Sequence, residues 1–113
     1  MVFTPSAALL DACVLNVLSR GDTYGYELTA RIRDMSEVSE STLYPVLKRL
    51  QKERLLTTYD EAVNGRNRRY YNITEEGRRR LSTYLREWET FKERIDRAFY
   101  YGLDGGKKGV ENA

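Results

Sequence analysis

Histidine is absent from this sequence, and cysteine occurs only once, at Cys13. One cysteine cannot form a disulfide within the chain, and without histidine the chain cannot build a metal site from Cys and His ligands. The most common general base of enzymes is therefore missing as well. We expect Cys13 to be a small buried apolar residue rather than a redox switch.

Long apolar runs are also missing. No segment approaches the roughly 20 apolar residues that a membrane-spanning helix needs, and the opening MVFTPSAALL lacks the basic start and cleavage pattern of a signal peptide. Hydrophobic residues make up 41% of the chain and charged residues 32%, a balance typical of folded soluble proteins. We therefore expect one globular cytoplasmic protein with no membrane partner.

The net charge of +2 is unevenly distributed along the chain. The segment from Ser41 to Arg80 contains ten Lys and Arg against five Asp and Glu, so it carries +5 while the rest of the chain carries −3. A basic segment between acidic ends is typical of a protein with a polyanionic partner. From charge alone, a basic surface that is exposed only to solvent is as well supported as a polyanionic partner.

Apolar periodicity predicts two helices in the N-terminal third. The first runs from Ala7 to Leu18 and is apolar almost all round, which indicates burial on more than one side. Gly21 is expected to terminate it, and Thr23 to cap a second helix with the sequence YGYELTARIRD. In that helix Leu28 and Ile32 are four residues apart and so share a face.

A third helix is predicted from Ser41 to Glu53. Its apolar face consists of Leu43, Val46, Leu47 and Leu50. The opposite face consists of Ser41, Pro45, Lys48 and Lys52, flanked by Tyr44 and Arg49. Because a proline inside a helix loses one backbone hydrogen bond, Pro45 indicates a late start or a local kink.

A β-hairpin is predicted next. The segments LLTTYDEAV and NRRYYNI are rich in β-branched and aromatic residues, and NGR between them is a turn signal. The tip of this hairpin carries three arginines, Arg66, Arg68 and Arg69. Alternation along the second strand places Arg68, Tyr70 and Asn72 on one face.

A long helix is predicted to follow, with Thr74 as its cap and Glu75 and Glu76 in its first turn. Apolar residues recur along it at alternating spacings of three and four, the pattern of a helix that packs along its length against another. This seam consists of Leu81, Tyr84, Trp88, Phe91, Ile95 and Ala98.

The predicted fold is mostly α with a β-hairpin (α+β). Residues 1–74 form a winged helix-turn-helix, residues 75–101 a C-terminal dimerisation helix, and residues 102–113 a disordered tail. At 1.5 Å per residue, about 26 helical residues span ~39 Å, more than a compact winged helix can cover. Dimerisation therefore explains the seam better than an internal core, and the first helix is expected to assist it.

A winged helix-turn-helix inserts its third helix into the DNA major groove, while the wing reaches phosphates or the minor groove beside it. We expect base-edge contacts from Ser41, Thr42, Tyr44 and Pro45, and phosphate contacts from Lys48, Arg49 and the wing arginines. The whole predicted DNA-binding set is Ser41, Thr42, Tyr44, Pro45, Lys48, Arg49, Lys52, Arg66, Asn67, Arg68, Arg69 and Tyr70. A two-fold dimer implies a pseudo-palindromic operator in double-stranded DNA, with half-sites ~34 Å apart. For Tyr24 and Tyr26, core packing and DNA contact both remain open.

Three motifs in this order, TYGYELTARI, STLYPVLKRLQKERLL and GRNRRYYNITEEGRRRL, together resemble the PadR family of bacterial transcriptional regulators. The resemblance covers roughly residues 9–100, and the single C-terminal helix is similar to the smaller subfamily. It implies a dimeric repressor in which the last helix of each subunit crosses the partner. Arg54 and Leu55 stand where many members have glycine before the first strand.

Trp88 lies at the middle of the seam, so the two copies in a dimer are expected to face each other across a cavity. Some short members of the resembled family bind planar aromatic compounds between such tryptophans, and ring stacking would supply the attraction. The candidate pocket consists of Ala8, Leu9, Ala12, Leu85, Trp88, Glu89 and Lys92. An interface that Trp88 simply fills is an equal alternative, and the neighbouring charges leave both cationic and anionic ligands open.

The function that these patterns favour is a ligand-responsive DNA-binding regulator, a repressor released by a small aromatic molecule. A winged-helix module for protein interaction is the alternative, because the fold alone does not imply DNA binding. An enzyme is disfavoured, since the sequence shows no nucleophile beside a base, no phosphate-cradling glycine loop and no cluster of metal ligands. We expect no cofactor and no metal.

Overall fold

The structure is a computed structural model that describes residues 5–35 and 37–102. In chain order, the elements are α1 (Ala7–Ser19), β1 (Thr23–Tyr24), α2 (Gly25–Arg33), α3 (Glu40–Lys52), β2 (Leu56–Val63), β3 (Arg66–Ile73) and α4 (Glu75–Tyr100). The predicted α+β class with a hairpin and a long last helix is confirmed. Two compact units divide the chain after Ser82, so α4 begins in the first unit and continues into the second. The predicted disordered tail lies, beyond Gly102, outside the described residues.

The three strands form one antiparallel sheet in the order β1-β3-β2. Strands β2 and β3 pair from Leu56 opposite Ile73 to Val63 opposite Arg66. Asn64 (φ 52°) and Gly65 (φ 76°) form the two-residue connection. Positive φ at both positions is the geometry that favours Asn-Gly in tight hairpins. Arg66 is therefore a strand residue, and the predicted three-residue connection NGR is wrong by one residue.

Thr23 is a strand residue, so its predicted role as the cap of the second helix is wrong. It pairs with Tyr71 in β3, and α2 begins at Gly25 with Tyr24 at the N-cap. The Thr23 hydroxyl instead donates a hydrogen bond of 2.7 Å to the Glu27 carboxylate. This hydrogen bond and that from Arg31 lower the pKa of Glu27. A two-residue strand is too short to produce a period in the sequence.

Helix α3 begins at Glu40, with Ser39 as its cap: the Ser39 hydroxyl accepts the Thr42 N–H at 3.2 Å. The helix runs through Pro45 as far as Lys52, so the predicted late start is wrong. Proline at this position removes the N–H that would bond to the Ser41 carbonyl and brings its ring against that carbonyl, yet the helix continues beyond it.

The core of the first unit is apolar, and α1, α2, α3 and the ends of β2 and β3 contribute to it. Its largest fully buried aliphatic side chains are Leu15, Leu18, Leu28, Ile32, Leu43, Leu50, Leu55 and Leu56. Leu28 and Ile32 confirm the predicted apolar face of α2, and Leu43, Val46, Leu47 and Leu50 confirm that of α3. Helix α1 is buried on several sides within a single chain, through Leu10, Ala12, Val14, Leu15, Val17 and Leu18. None of the helices in the described part of the chain combines the length and the apolar character that a membrane span requires.

A tight corner connects α3 to β2. The Arg54 N–H bonds to the Gln51 carbonyl at 3.0 Å, and the Leu55 N–H bonds to the Leu50 carbonyl at 2.9 Å. These are the two hydrogen bonds of a Schellman cap, and Leu50 and Leu55, the two positions whose apolar side chains usually accompany it, are both buried. Arg54 occupies the left-handed position with φ 64°, which costs a residue other than glycine about 1–2 kcal/mol. This is the turn at which the resembled family often has glycine.

The start of α4 packs against the same corner. The Leu55 carbonyl accepts the Thr74 N–H at 3.1 Å. The Thr74 hydroxyl donates to the Arg54 carbonyl at 2.8 Å and accepts the Gly77 N–H at 2.9 Å, which confirms Thr74 as the helix cap. A Cβ on Gly77 would overlap the Leu55 carbonyl oxygen and lie 2.8 Å from Cγ1 of Ile73. Only glycine fits at this position without a shift of the backbone.

We expect Gly77→Ala to lower the free energy of unfolding by about 2–3 kcal/mol, the upper part of the range for an overpacked core, because the methyl group meets backbone. Urea unfolding measures the change. Gly25→Ala is the matched control, since nothing lies within 4 Å of a Cβ at Gly25 and the change should stay within about 1 kcal/mol. Equal stabilities of the Gly77 variant and the parent would contradict this close packing.

Candidate nucleic-acid interface

The polar face of α3 is exposed. Ser41, Thr42, Tyr44, Pro45, Lys48 and Lys52 are all exposed, and the Tyr44 side chain is exposed by 57%. The Lys48 Nζ lies 5.7 Å from the centroid of the Tyr44 ring. A shallow groove along this face is lined by Tyr44, Pro45, Lys48, Arg49, Gln51 and Lys52. Six predicted contact residues of α3 thus share one accessible surface, and Arg49 borders it.

Three hydroxyl groups cluster at the N-terminus of α3. The Ser39 Oγ lies 2.9 Å from the Ser41 Oγ and 3.1 Å from the Thr42 Oγ1. Because hydroxyls both donate and accept hydrogen bonds, they can face either kind of base edge. Ser39 is missing from the predicted set, although a serine three residues before Thr42 is a recognisable capping signal.

The guanidinium of Arg49 forms an ion pair within the protein. It donates to both oxygens of the Asp11 carboxylate, at 2.5 and 3.0 Å, and lies 3.9 Å from Glu53. The Asp11 side chain is only 5% exposed and that of Arg49 is 40% exposed. Removing one partner of a buried ion pair costs about 3–5 kcal/mol, and the partial exposure of Arg49 favours the lower end. The predicted phosphate contact by Arg49 is not supported by this geometry.

The wing presents exposed arginines near its tip. Arg66, Asn67 and Arg69 are exposed, and Arg68 and Tyr70 are half-buried. Arg69 Nε lies 3.5 Å from the Asp60 carboxylate on the paired strand, with both side chains largely in solvent. A surface pair of this kind contributes about 0–1 kcal/mol, so a phosphate can readily replace the aspartate.

Arg68 belongs to an aromatic layer on one face of the sheet. Its guanidinium carbon lies 4.3 Å from the centroid of the Tyr24 ring, within range of a cation–π interaction. The Tyr70 ring lies edge-on to Tyr24 at 5.6 Å and is stacked on Tyr59 at 5.5 Å. This layer holds the Arg68 side chain against the face of the sheet. Tyr24, which the sequence left open, therefore packs within the protein, whereas Tyr26 is 70% exposed.

Asp22 ties the wing to the loop between α1 and β1. Its carboxylate accepts a hydrogen bond of 2.8 Å from the Tyr59 hydroxyl and another of 2.8 Å from the Asn72 amide. The hydrogen bond from Tyr59 to Asp22, aided by desolvation, raises the pKa of Tyr59 to about 12. Because this folded-state pKa lies above the ordinary value of 10.0, the stabilisation is complete below pH 10 and is lost as the pH rises toward 12.

In the second unit, α4 exposes apolar side chains at the predicted seam. Trp88 and Phe91 are 43% and 56% exposed, and Leu85, which was predicted for the ligand pocket, is 49% exposed. The Trp88 and Phe91 rings lie 6.2 Å apart. Tyr84, Ile95 and Ala98 are half-buried, and Leu81, which belongs to the first unit, is buried. The seam therefore leaves a large apolar area uncovered in a single chain.

The residues predicted for a ligand pocket have different exposures. In the second unit, Lys92 Nζ lies 3.6 Å from the Glu89 carboxylate, so these opposite charges form a surface pair. In the first unit, Ala8 is exposed, Leu9 is half-buried and Ala12 is buried.

Cys13 is half-buried, its Sγ lies 3.9 Å from Met35 Sδ, and burial raises the pKa of its thiol.

Three helices followed by a hairpin and a long helix place this chain in the winged helix-turn-helix class. The model of the PadR-like family of transcriptional regulators matches residues 14–83. The chain therefore belongs to the PadR-like family. The family consists of transcriptional regulators rather than enzymes.

Individual relatives agree with this assignment. Transcriptional regulator Rv3488 of Mycobacterium tuberculosis is 34% identical over 73% of this chain and 78% of its own. The crystal structure of smu.1704 from Streptococcus mutans has a TM-score of 0.84 at 36% identity, covering 90% of this chain and 96% of that one. A PadR-like transcriptional regulator from Bacillus cereus has a TM-score of 0.75 at 32% identity, covering 80% and 91%.

Proposed function

We propose that this protein is a dimeric regulator that binds a pseudo-palindromic DNA operator and acts as a repressor released by a small aromatic ligand. The observation that carries DNA binding is the exposed, basic and hydroxyl-rich face of α3, next in sequence to a wing with arginines near its tip. The opposite face of α3 is buried, so this surface is the one available to a partner.

The residues on this surface divide into two roles. Ser41, Thr42, Tyr44 and Pro45 lie toward the N-terminus of α3, the end that reads base edges when such a helix enters the major groove. Lys48 and Lys52 lie farther along the helix and supply charge for phosphates, as do Arg66 and Arg69 on the wing. Asn67 lies between these two arginines and adds an amide. Arg68 and Tyr70 contribute from the aromatic face of the sheet, where Tyr24 holds Arg68.

DNA binding by the wing has a distinct electrostatic signature. After a duplex has been selected from a randomised library on the parent protein, we expect Arg66→Ala with Arg69→Ala to weaken binding to selected and random duplexes alike. The slope of log affinity against log salt should become shallower by about two, one for each lost phosphate contact.

Arg79→Ala is the control for this wing variant, because Arg79 is an equally exposed, ion-paired arginine that lies on α4, outside the proposed DNA-binding surface. We expect its affinity and salt slope to match those of the parent. A wing variant that binds like the parent would contradict a DNA-binding wing. A parent protein that selects no sequence would favour the alternative, a module for protein interaction.

Dimer formation would cover the apolar seam of α4. We expect sedimentation at micromolar concentration to give twice the chain mass, and Phe91→Glu to give a monomer, because burying an unpaired carboxylate is costly. Arg97→Glu, a charge change on the same helix outside the seam, should remain dimeric. A parent that stays monomeric at high concentration would contradict the proposed dimer.

Release of the protein from DNA by a ligand is the most specific part of the proposal, and the exposure of Trp88 supports it. Its ring is 43% exposed in a single chain and is therefore accessible for stacking. We expect a panel of planar aromatic compounds to quench the fluorescence of Trp88, the only tryptophan in the chain, and to weaken binding to the selected duplex. Because Glu89 and Lys92 follow Trp88 on α4 and carry opposite charges, the panel should include cations and anions. No quenching by any compound would contradict this ligand site.

A further inference from the structure

One polar contact joins the first helix to the helix proposed for DNA recognition. Asp11 interrupts the apolar helix α1, and its carboxylate is almost completely buried. Both of its oxygens accept hydrogen bonds from Arg49, which is next to the exposed Lys48 on α3. The two residues are 38 positions apart in the chain. The contact therefore depends on the tertiary fold and reports the placement of α3 on α1.

We propose that Asp11 and Arg49 are positioning residues for operator recognition. Their bidentate ion pair sets the rotation of α3 about its own axis and its position along α1. This inference rests on the proposed function, since it assigns two residues to the recognition of one DNA sequence over another. Neither residue is proposed to touch DNA.

The geometry of the pair explains how it can set a position. Contacts among Leu43, Leu47 and the other buried side chains are non-directional, and they allow a helix to rotate slightly at little cost. Two parallel N–H···O bonds between a guanidinium and a carboxylate have one favourable arrangement. Because Tyr44 lies little more than one turn before Arg49, a rotation that breaks the pair also moves Tyr44 across the base edges.

The charges of the pair separate it from a phosphate contact. The Asp11 carboxylate compensates the Arg49 guanidinium within the protein, so Arg49 releases no counterion when DNA binds. Lys48 is exposed on the same helix, so we expect its charge to contribute to the salt dependence of DNA affinity. A positioning role should therefore change the preference for the operator and leave the salt slope unaltered.

A weaker set of contacts continues from this pair toward α4. Arg49 lies 3.9 Å from Glu53, and Glu53 lies 3.5 Å from Arg80 in the first turns of α4. The side chains of Glu53 and Arg80 are 41% and 40% exposed. Solvent screens such pairs strongly, so among these ion pairs the one with Asp11 contributes most to the position of α3.

Two variants test the pair without changing its volume greatly. Asp11→Asn removes the charge and keeps the shape, and Arg49→Lys keeps the charge and loses the bidentate geometry. For each we expect affinity for the selected duplex to fall about tenfold, within the range of one disrupted base-pair contact. For Arg49→Lys, which keeps both charges of the pair, affinity for a random duplex should remain within about twofold and the salt slope should be unchanged. Asp11→Asn leaves the Arg49 charge uncompensated, so its readout is the ratio of affinities for the selected and random duplexes. The double variant should be no worse than either single one, because both remove the same interaction.

Lys48→Ala is the control for a phosphate contact: it should weaken binding to both duplexes and reduce the salt slope by about one. Binding is measured below the thermal transition of each variant, and if Asp11→Asn does not fold, Arg49→Lys carries the test.

A further variant, Arg49→Ala, removes the charge of Arg49 and should leave the salt slope unchanged. Three outcomes would overturn the proposal: parent-like selectivity in both Asp11→Asn and Arg49→Lys, an equal loss on both duplexes, or a salt slope that Arg49→Ala reduces as Lys48→Ala does. A parent protein that selects no sequence would instead overturn the proposed function on which this inference rests.

Discussion

The backbone of Leu55 is the point at which α3, the wing and the last helix meet. Its N–H closes the cap of α3 on Leu50, and its carbonyl accepts the Thr74 N–H and lies against Gly77. The Leu55 side chain is buried beside that of Leu50. Because this contact involves backbone on three elements, α3 cannot shift without moving the base of the wing or the start of α4. The geometry of the proposed DNA-binding surface depends on this corner.

Charged side chains in the first unit act in two ways that burial distinguishes. The buried carboxylate of Asp11 needs its partner, so the ion pair with Arg49 is a fixed part of the structure. The pair between Arg69 and Asp60 is exposed and weak, so Arg69 remains available to a phosphate. Arg68 is intermediate, because the Tyr24 ring holds it by a cation–π contact. Counting arginines in the sequence would treat all three alike.

Most of the fold could be predicted because apolar residues recur at helical spacing along the helices. The buried faces of α2 and α3, the hairpin and the Thr74 cap follow from local patterns of apolar, turn and capping residues. Strand β1 could not be predicted. It has only two residues, too few to show an alternating pattern, and it pairs with β3, which is distant in the sequence. The ion pair of Arg49 was missed for a related reason: Asp11 was visible as an interruption in an apolar helix, but a partner 38 residues away leaves no local signal. The contact residues of α3 and the wing remain predictions until DNA is bound.

A crystal structure of the protein with its selected duplex tests the central claim most directly. The account predicts α3 in the major groove, with Ser41, Thr42 and Tyr44 at base edges, and with Lys48 and the exposed wing arginines at phosphates. Arg49 should still be paired with Asp11. A duplex bound to another face of the protein, or an α3 that makes no contact with base edges, would contradict it.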